Sequence, residues 1–462
     1  MSEIFDLILK NGTVVTPGGV IDTDIAVKNG RIADLGGFAT AAAREVTDCK
    51  HLHILPGVID TQVHFREPGL THKEDISTGT LSAIAGGVTT IFEMPNTDPL
   101  TITLDTLHDK LHRAQGRAWC DYAFFIGGCV ENAADIDALE MLPGCCGIKI
   151  FMGSSTGALL AAQDEIILSI LKNGCRRVAL HAEDEARLKA RKYIAEATHD
   201  VKDHPNWRDA ETALKATQRA VRLAREAGRR IHLLHVTSAE EVEFLSEHKD
   251  IATIEVTPQH LTLSAPECYE RLGTLAQMNP PIRDRRHQAA LWHAVRIGSV
   301  DVLGSDHAPH TRPEKSRQYP ASPSGMPGVQ TMLPLMLDHV NAGRLSLERL
   351  VDLLSHGPQR IYQIASKGRI AVGYDADFAI VDLRKSRAIT NQWIQSKCGW
   401  TPFDGRTVTG WVQGTVLRGQ AVMWEDEILG SPQGQVVNFM ESLKPGIKMP
   451  HSAANTKRIE CC

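Results

Sequence analysis

The chain has no CxxC pair and no regular spacing among its ten cysteines. A disulfide framework is therefore not expected, and the cysteines read as reduced, mostly buried thiols. Cys145-Cys146 and Cys461-Cys462 are adjacent pairs, poorly placed for ordinary bridges. No apolar run approaches the roughly 18 residues of a spanning helix, so no membrane partner is expected. The opening stretch MSEIFDLILKNG lacks the basic and apolar regions of a secretory signal, which favours a cytoplasmic protein. A large excess of charge of one sign is missing too. A formal net charge of −5 over 462 residues gives no reason to expect nucleic acid as a partner. Long-period repeats and low-complexity tracts are absent from an ordinary globular composition, 42% hydrophobic and 23% charged.

What is present is a change of rhythm along the chain. Residues 1–55 read as short strands with turns, FDLILKNGTVV and DIAVKNGRIADLG, with Asn-Gly at 11–12 and 29–30 supplying the positive backbone angles of tight hairpins. From 56 to 367, short apolar runs such as VTTIFEM, GIKIFM, RVALHAED and VDVLGSD alternate with helical stretches. That alternation predicts a parallel sheet covered by helices, and the number of units fits a (β/α)8 barrel. Strand-and-turn character returns over 368–430, so both chain ends are expected to form one small β-sandwich domain beside the barrel. Residues 431–462 read as a C-terminal tail with weak periodicity.

In such a barrel, the strand C-termini and the loops after them form the catalytic face. His64, Lys149, His181, His235 and Asp306 each lie at or just beyond the end of a different predicted strand. Neutral imidazoles favour zinc-like ions, although a lone histidine leaving an apolar strand is more often a hydrogen-bonded core residue. Gln62 and His64 are two apart on one strand and so share a side, with Phe65 facing the other way. Lys149, an amine inside an apolar strand, pairs with an acid, deprotonates or is modified by CO2 to a carbamate. Asp306, in GSDHAPH, is either a helix cap or a metal ligand that doubles as general acid and base. His232, His260 and His307 read as structural or supporting. The Pro-, Ser- and Gly-rich stretch TRPEKSRQYPASPSGMPG suggests a mobile flap near the site.

GVIDTQVHFREPG, EMPNT, GIKIFMGSSTG, HAED, LLHVTS, MNPPIRD and GSDHAPH, in this order, resemble the dihydroorotases of the amidohydrolase superfamily. The resemblance runs over nearly the whole chain. It implies one or two zinc ions, a CO2-derived carbamate bridge on Lys149, and ligands at His64, His181, His235 and Asp306. It also implies that Arg66, Asn96 and His310 hold the substrate carboxylate and that Asn279 touches the ring. A guanidinium fork with an amide and an imidazole does suit a planar carboxylate. The implied reaction is reversible closure of N-carbamoyl-L-aspartate to L-dihydroorotate in pyrimidine synthesis. The family pattern at the first strand is Asp-x-His-x-His, whereas this chain has Asp60-Thr61-Gln62-Val63-His64. A neutral amide is a poorer zinc ligand than imidazole, so weakened or single-metal occupancy is expected.

Two other readings stand beside this one. KCGWTPFDGRTVTGW has some likeness to allantoinases, which favours an allantoinase or hydantoinase type of cyclic amidase. Gln62 alone favours a non-catalytic subunit that scaffolds aspartate transcarbamoylase. The expected partners are a small-molecule substrate, further copies of the chain in a homo-oligomer, and aspartate transcarbamoylase.

Overall fold

The apolar runs between positions 58 and 303 form eight parallel strands whose side chains are buried on both faces, as expected where helices cover the outside of a sheet. The computed structural model describes residues 4–155 and 157–442. The strands are Val58–Val63, Val88–Glu93, Asp121–Gly127, Cys145–Phe151, Val178–His181, Ile231–Leu233, Ala252–Val256 and Val302–Leu303. They pair in sequence order. The first strand meets the segment after the last through a parallel bridge between Val63 and His307, where His64 N donates to His307 O at 2.7 Å. That contact brings the two ends of the sheet together as a (β/α)8 barrel.

Local sequence explains the helices around it. Ala210–Ala227 buries Ala213, Ala216, Ala220, Val221 and Ala224, a stripe at three- and four-residue spacing. Asp209 caps its start by accepting from Thr212 N, and Gly228 ends it in the left-handed region at φ 68°. Ile76–Ala85 begins with a reciprocal capping box between Asp75 and Thr78.

A second, nine-stranded sheet is built from both ends of the chain. Phe378–Ala388 runs antiparallel to His53–Pro56, with Ile380 opposite Ile54, and so joins the late strands to the early ones. Leu7, Ile25, Ile54, Phe378 and Val416 share its core. Asn29-Gly30 is a hairpin turn, with φ of 52° and 73°, between Gly19–Lys28 and Arg31–Gly36. Asn11-Gly12 is not a turn. It lies inside Phe5–Thr16, where Asn11 at φ 61° accompanies a register shift between Leu9 and Gly12. A left-handed Asn suits a bulge as well as a turn, and the close approach of Ile54 to Gly12 leaves no room there for a side chain.

Lys367 lies between barrel and sheet. Its ammonium reaches Asp121 at 2.5 Å, Asp377 at 2.6 Å and Asp375 at 3.1 Å. Residues 431–442 run over the barrel, where Val436 bridges Tyr122 and Phe439 packs on Phe92. The remainder of the expected tail, 443–462, lies outside the described residues. No helix among the described residues is long and apolar enough to cross a membrane.

Candidate active site

The C-terminal ends of the barrel strands open on a small cavity lined by Gln62, His64, His181, His235 and Asp306 together with Arg66 and Asn96. Three of these residues leave their strands in the left-handed region: Arg66 at φ 64°, His235 at φ 38° and Asp306 at φ 44°. Non-glycine residues adopt this conformation at a cost of about 1–3 kcal/mol each, and such strain gathers at functional sites. Here it turns each side chain from the strand direction towards the cavity.

The cation-binding donors fall into two pairs. In the first, His64 Nδ1–H donates to Asn96 Oδ1 at 2.8 Å, which leaves Nε2 bare and 3.3 Å from Asp306 Oδ1. Gln62 Nε2 donates to the same Asp306 oxygen at 3.2 Å, while Gln62 Oε1 is buried without a partner. In the second pair, His181 Nε2–H donates to Glu183 Oε2 at 2.9 Å, so its bare Nδ1 faces His235 Nε2 at 3.0 Å. Burial would raise the Glu183 carboxyl, but the Arg208 guanidinium and His181 outweigh it and hold it at about 2, so it stays an acceptor. Burial lowers the affinity of His64, His181 and His235 for protons.

Lys149 links the pairs electrostatically, since its charge acts on His64, His181, His235 and Asp306. Its Nζ is buried with no hydrogen-bond partner, and burial pulls the amine down to about 7. Burial thus favours the neutral amine, the form that reacts with CO2. Among the described residues, no three His, Cys, Asp or Glu side chains converge on one point. The donors fit a divalent cation nonetheless: His64 Nε2 faces an Asp306 oxygen and His181 Nδ1 faces His235 Nε2, so a cation can take the place of the proton between either pair. A carboxylate at Lys149 would give the His64–Asp306 pair a third ligand and the His181–His235 pair the anionic ligand it lacks.

Arg66 lines the same cavity. It is 3% exposed and makes no ion pair with its neighbour Glu67. Its Nε donates to Pro309 O at 3.2 Å, whereas Glu67 pairs with Arg117 at 2.7 Å. Asn279 also lines the cavity, with its Nδ2 donating to Ser155 Oγ at 3.3 Å and its Oδ1 accepting from His204 at 3.0 Å. His310 is buried behind this wall rather than lining it. Its Nε2–H donates to Ser324 O at 3.0 Å, and Nε2 lies 3.3 Å from Arg66 Nη2.

The supporting histidines have defined tasks. His232 bonds Thr253 Oγ1 at 2.8 Å, below the site. His260 holds Pro280 O at 3.1 Å, next to Asn279. His307 accepts from Gly328 N at 3.1 Å and approaches Glu74 at 3.3 Å. Sequence reading missed Glu183 and Arg208. The spacing of Glu183 two residues after His181, in HAED, was an available signal; Arg208 gave none.

The chain belongs to the amidohydrolase family, whose model matches residues 53–422. Within that class, the dihydroorotase of Halobacterium salinarum is 35% identical over 444 residues, covering 95% of this chain and 100% of that protein. The allantoinase of Deinococcus radiodurans is 34% identical over 447 residues, covering 94% and 98%. Among solved structures, the L-hydantoinase of Arthrobacter aurescens superposes with a TM-score of 0.89 at 31% identity, covering 94% of this chain and 100% of that one.

Proposed function

We propose that the protein is a dihydroorotase, interconverting N-carbamoyl-L-aspartate and L-dihydroorotate in pyrimidine synthesis. The observation that carries this reading is the lining of one cavity, where His64, His181, His235 and Asp306 meet the buried Arg66 guanidinium and Asn96 bonds His64. A ring amide with a carboxylate substituent suits a lining that offers both cation donors and a guanidinium.

Arg66 and Asn96 bind the carboxylate, and His310, from behind, fixes the Ser324 segment of the wall. Asn279 borders the ring. A divalent cation such as zinc, held by His64, Asp306 and a carbamate on Lys149, or by that carbamate with His181 and His235, would polarise the amide carbonyl and acidify a water. Asp306, whose Oδ1 is steadied by Gln62 Nε2, takes the proton from the attacking water and gives it to the ring nitrogen as the C–N bond breaks. In ring closure the same groups act in reverse order.

The test is incubation of purified protein, supplied with zinc and bicarbonate, with carbamoyl aspartate, dihydroorotate, allantoin and hydantoin in parallel. Interconversion of the first two supports the reading. Opening of allantoin or hydantoin without it would establish the allantoinase or hydantoinase alternative, which the Deinococcus relative favours.

A further inference from the structure

Lys315 is fully buried yet has no ion pair among the described residues. Its Nζ lies 3.0 Å from Gln277 O, 2.9 Å from Pro323 O and 2.9 Å from Gly325 O. Three carbonyl acceptors need three N–H groups, so the geometry calls for an ammonium; a neutral amine could satisfy only two. Burial, with the Arg66 charge adding to it, pulls the amine down to about 7, and the carbonyl cage opposes that pull.

Lys315 and two of the three carbonyls, Pro323 O and Gly325 O, belong to the stretch whose composition suggests a mobile flap, and Gln277 O lies outside it. Gln277 secures the same stretch from its other atoms, donating from Nε2 to Ser322 O at 2.9 Å and to Ser324 Oγ at 3.0 Å. Gly325 N returns a bond to Gln277 O at 2.9 Å. Gly325 sits at φ 136°, and a side chain there would strike Ala308 O. Ser324 and Gly325 are cavity wall, and Ser324 O is the acceptor that orients His310 beside Arg66. One ammonium therefore ties the loop to the wall and sets a positive charge, which has no ion pair among the described residues, close enough to Arg66 for the two to act on each other.

We propose that Lys315 is a positioning and specificity-determining residue: it staples residues 316–325 onto the cavity and adds a second positive charge near Arg66, so that the site prefers anionic cyclic amides to neutral ones. The proposal rests on the reading above that Arg66 takes a carboxylate. A low-dielectric wall carries such a charge to the ligand with little screening.

The experiment compares wild-type protein with Lys315→Met, both supplied with zinc and bicarbonate. Two probes share a ring and differ in charge: orotate, which carries a carboxylate, and uracil, which does not. Calorimetric affinities are measured for both, and amide exchange is followed over 316–325. The expected result is a loss of at least about tenfold in orotate affinity, a change of less than about twofold for uracil, and faster exchange in the loop. Equal loss for both probes overturns the specificity role, since a merely structural residue would act on both alike. Unchanged loop exchange overturns the staple. Thermal unfolding of the variant shows whether it is folded. If it is not, Lys315→Gln, a neutral side chain that can still donate to two of the carbonyls, must lower orotate affinity while leaving uracil affinity within about twofold, or the specificity role is refuted. Equal affinity of the wild-type protein for orotate and uracil would fail the carboxylate reading itself, and is read before any substitution is made.

Discussion

His181 Nδ1 and His235 Nε2 face each other at 3.0 Å because His181 is turned by a buried Glu183 that Arg208 holds through both oxygens, at 3.0 Å from guanidinium Nε to Oε1 and 2.5 Å from Nη2 to Oε2. The imidazole therefore presents one defined nitrogen to the cavity. Outer partners of this kind typically change metal affinity by about 10–100-fold. Glu183→Gln should weaken zinc binding by that order, read by competition with a chromophoric chelator. An unchanged affinity would mean that His181 is not a ligand.

Arg66 supplies the only guanidinium that lines the cavity among the described residues. Charge-assisted hydrogen bonds contribute about 1.5–3 kcal/mol, so losing a forked contact should cost about 100-fold in kcat/KM. Arg66→Met should show that loss with dihydroorotate, and much less with a ring that has no carboxylate. Comparable losses on both would place Arg66 in the chemistry rather than in recognition.

The barrel and the strand-end residues were readable because strand periodicity and the rule that strand C-termini face the site are local properties. His64, His181, His235 and Asp306 all reach one cavity on that logic. The bulge at Asn11-Gly12 was not readable, since Asn-Gly has the same backbone preference in a turn as in a bulge, and only Ile54, a distant neighbour, decides. His310 was placed on the ligand by motif, but its position behind the cavity wall depends on the path of the 316–325 loop. That loop reads as mobile from its Pro, Ser and Gly content, yet a buried lysine and a distant glutamine hold it. Composition describes a segment's own preferences, not the partners that override them.

Gln62 occupies a place in the cavity with one amide oxygen unsatisfied and its nitrogen on Asp306. Gln62→His would exchange that neutral contact for a ligand nitrogen beside His64. Zinc binding at the His64–Asp306 pair should tighten, or bound zinc per chain should rise, measured by calorimetry and elemental analysis. Neither change would appear if the side chain at position 62 points elsewhere.

Glu314 should contribute a pH-dependent part of the stability. Burial would raise its carboxyl, but bonds from Thr311 N at 3.0 Å and an ion pair with Lys73 at 3.1 Å outweigh it and hold the folded value at about 2 against an ordinary 4.5. A depressed folded value means that the stabilisation is complete above about pH 4.5 and is lost as pH falls through about 2. Glu314→Gln should therefore be less stable than wild type at neutral pH, with the gap closing over that acid range in denaturant titrations. A gap that stays constant down to about pH 2 would contradict this.

Lys367 poses the sharpest stability question, because it neutralises Asp121, Asp375 and Asp377 where the barrel meets the second sheet. Arg418 shares Asp121 at 2.5 Å, but Asp377 has no second cation within ion-pair distance among the described residues. Removing one member of a buried ionic cluster leaves uncompensated charge, at a cost of about 3–5 kcal/mol. Lys367→Met should lower the unfolding midpoint accordingly. The loss should shrink when Asp377 is also changed to Asn, since the stranded carboxylate is then gone. Additive losses in the double variant would show that the lysine acts by packing its stem rather than by balancing charge.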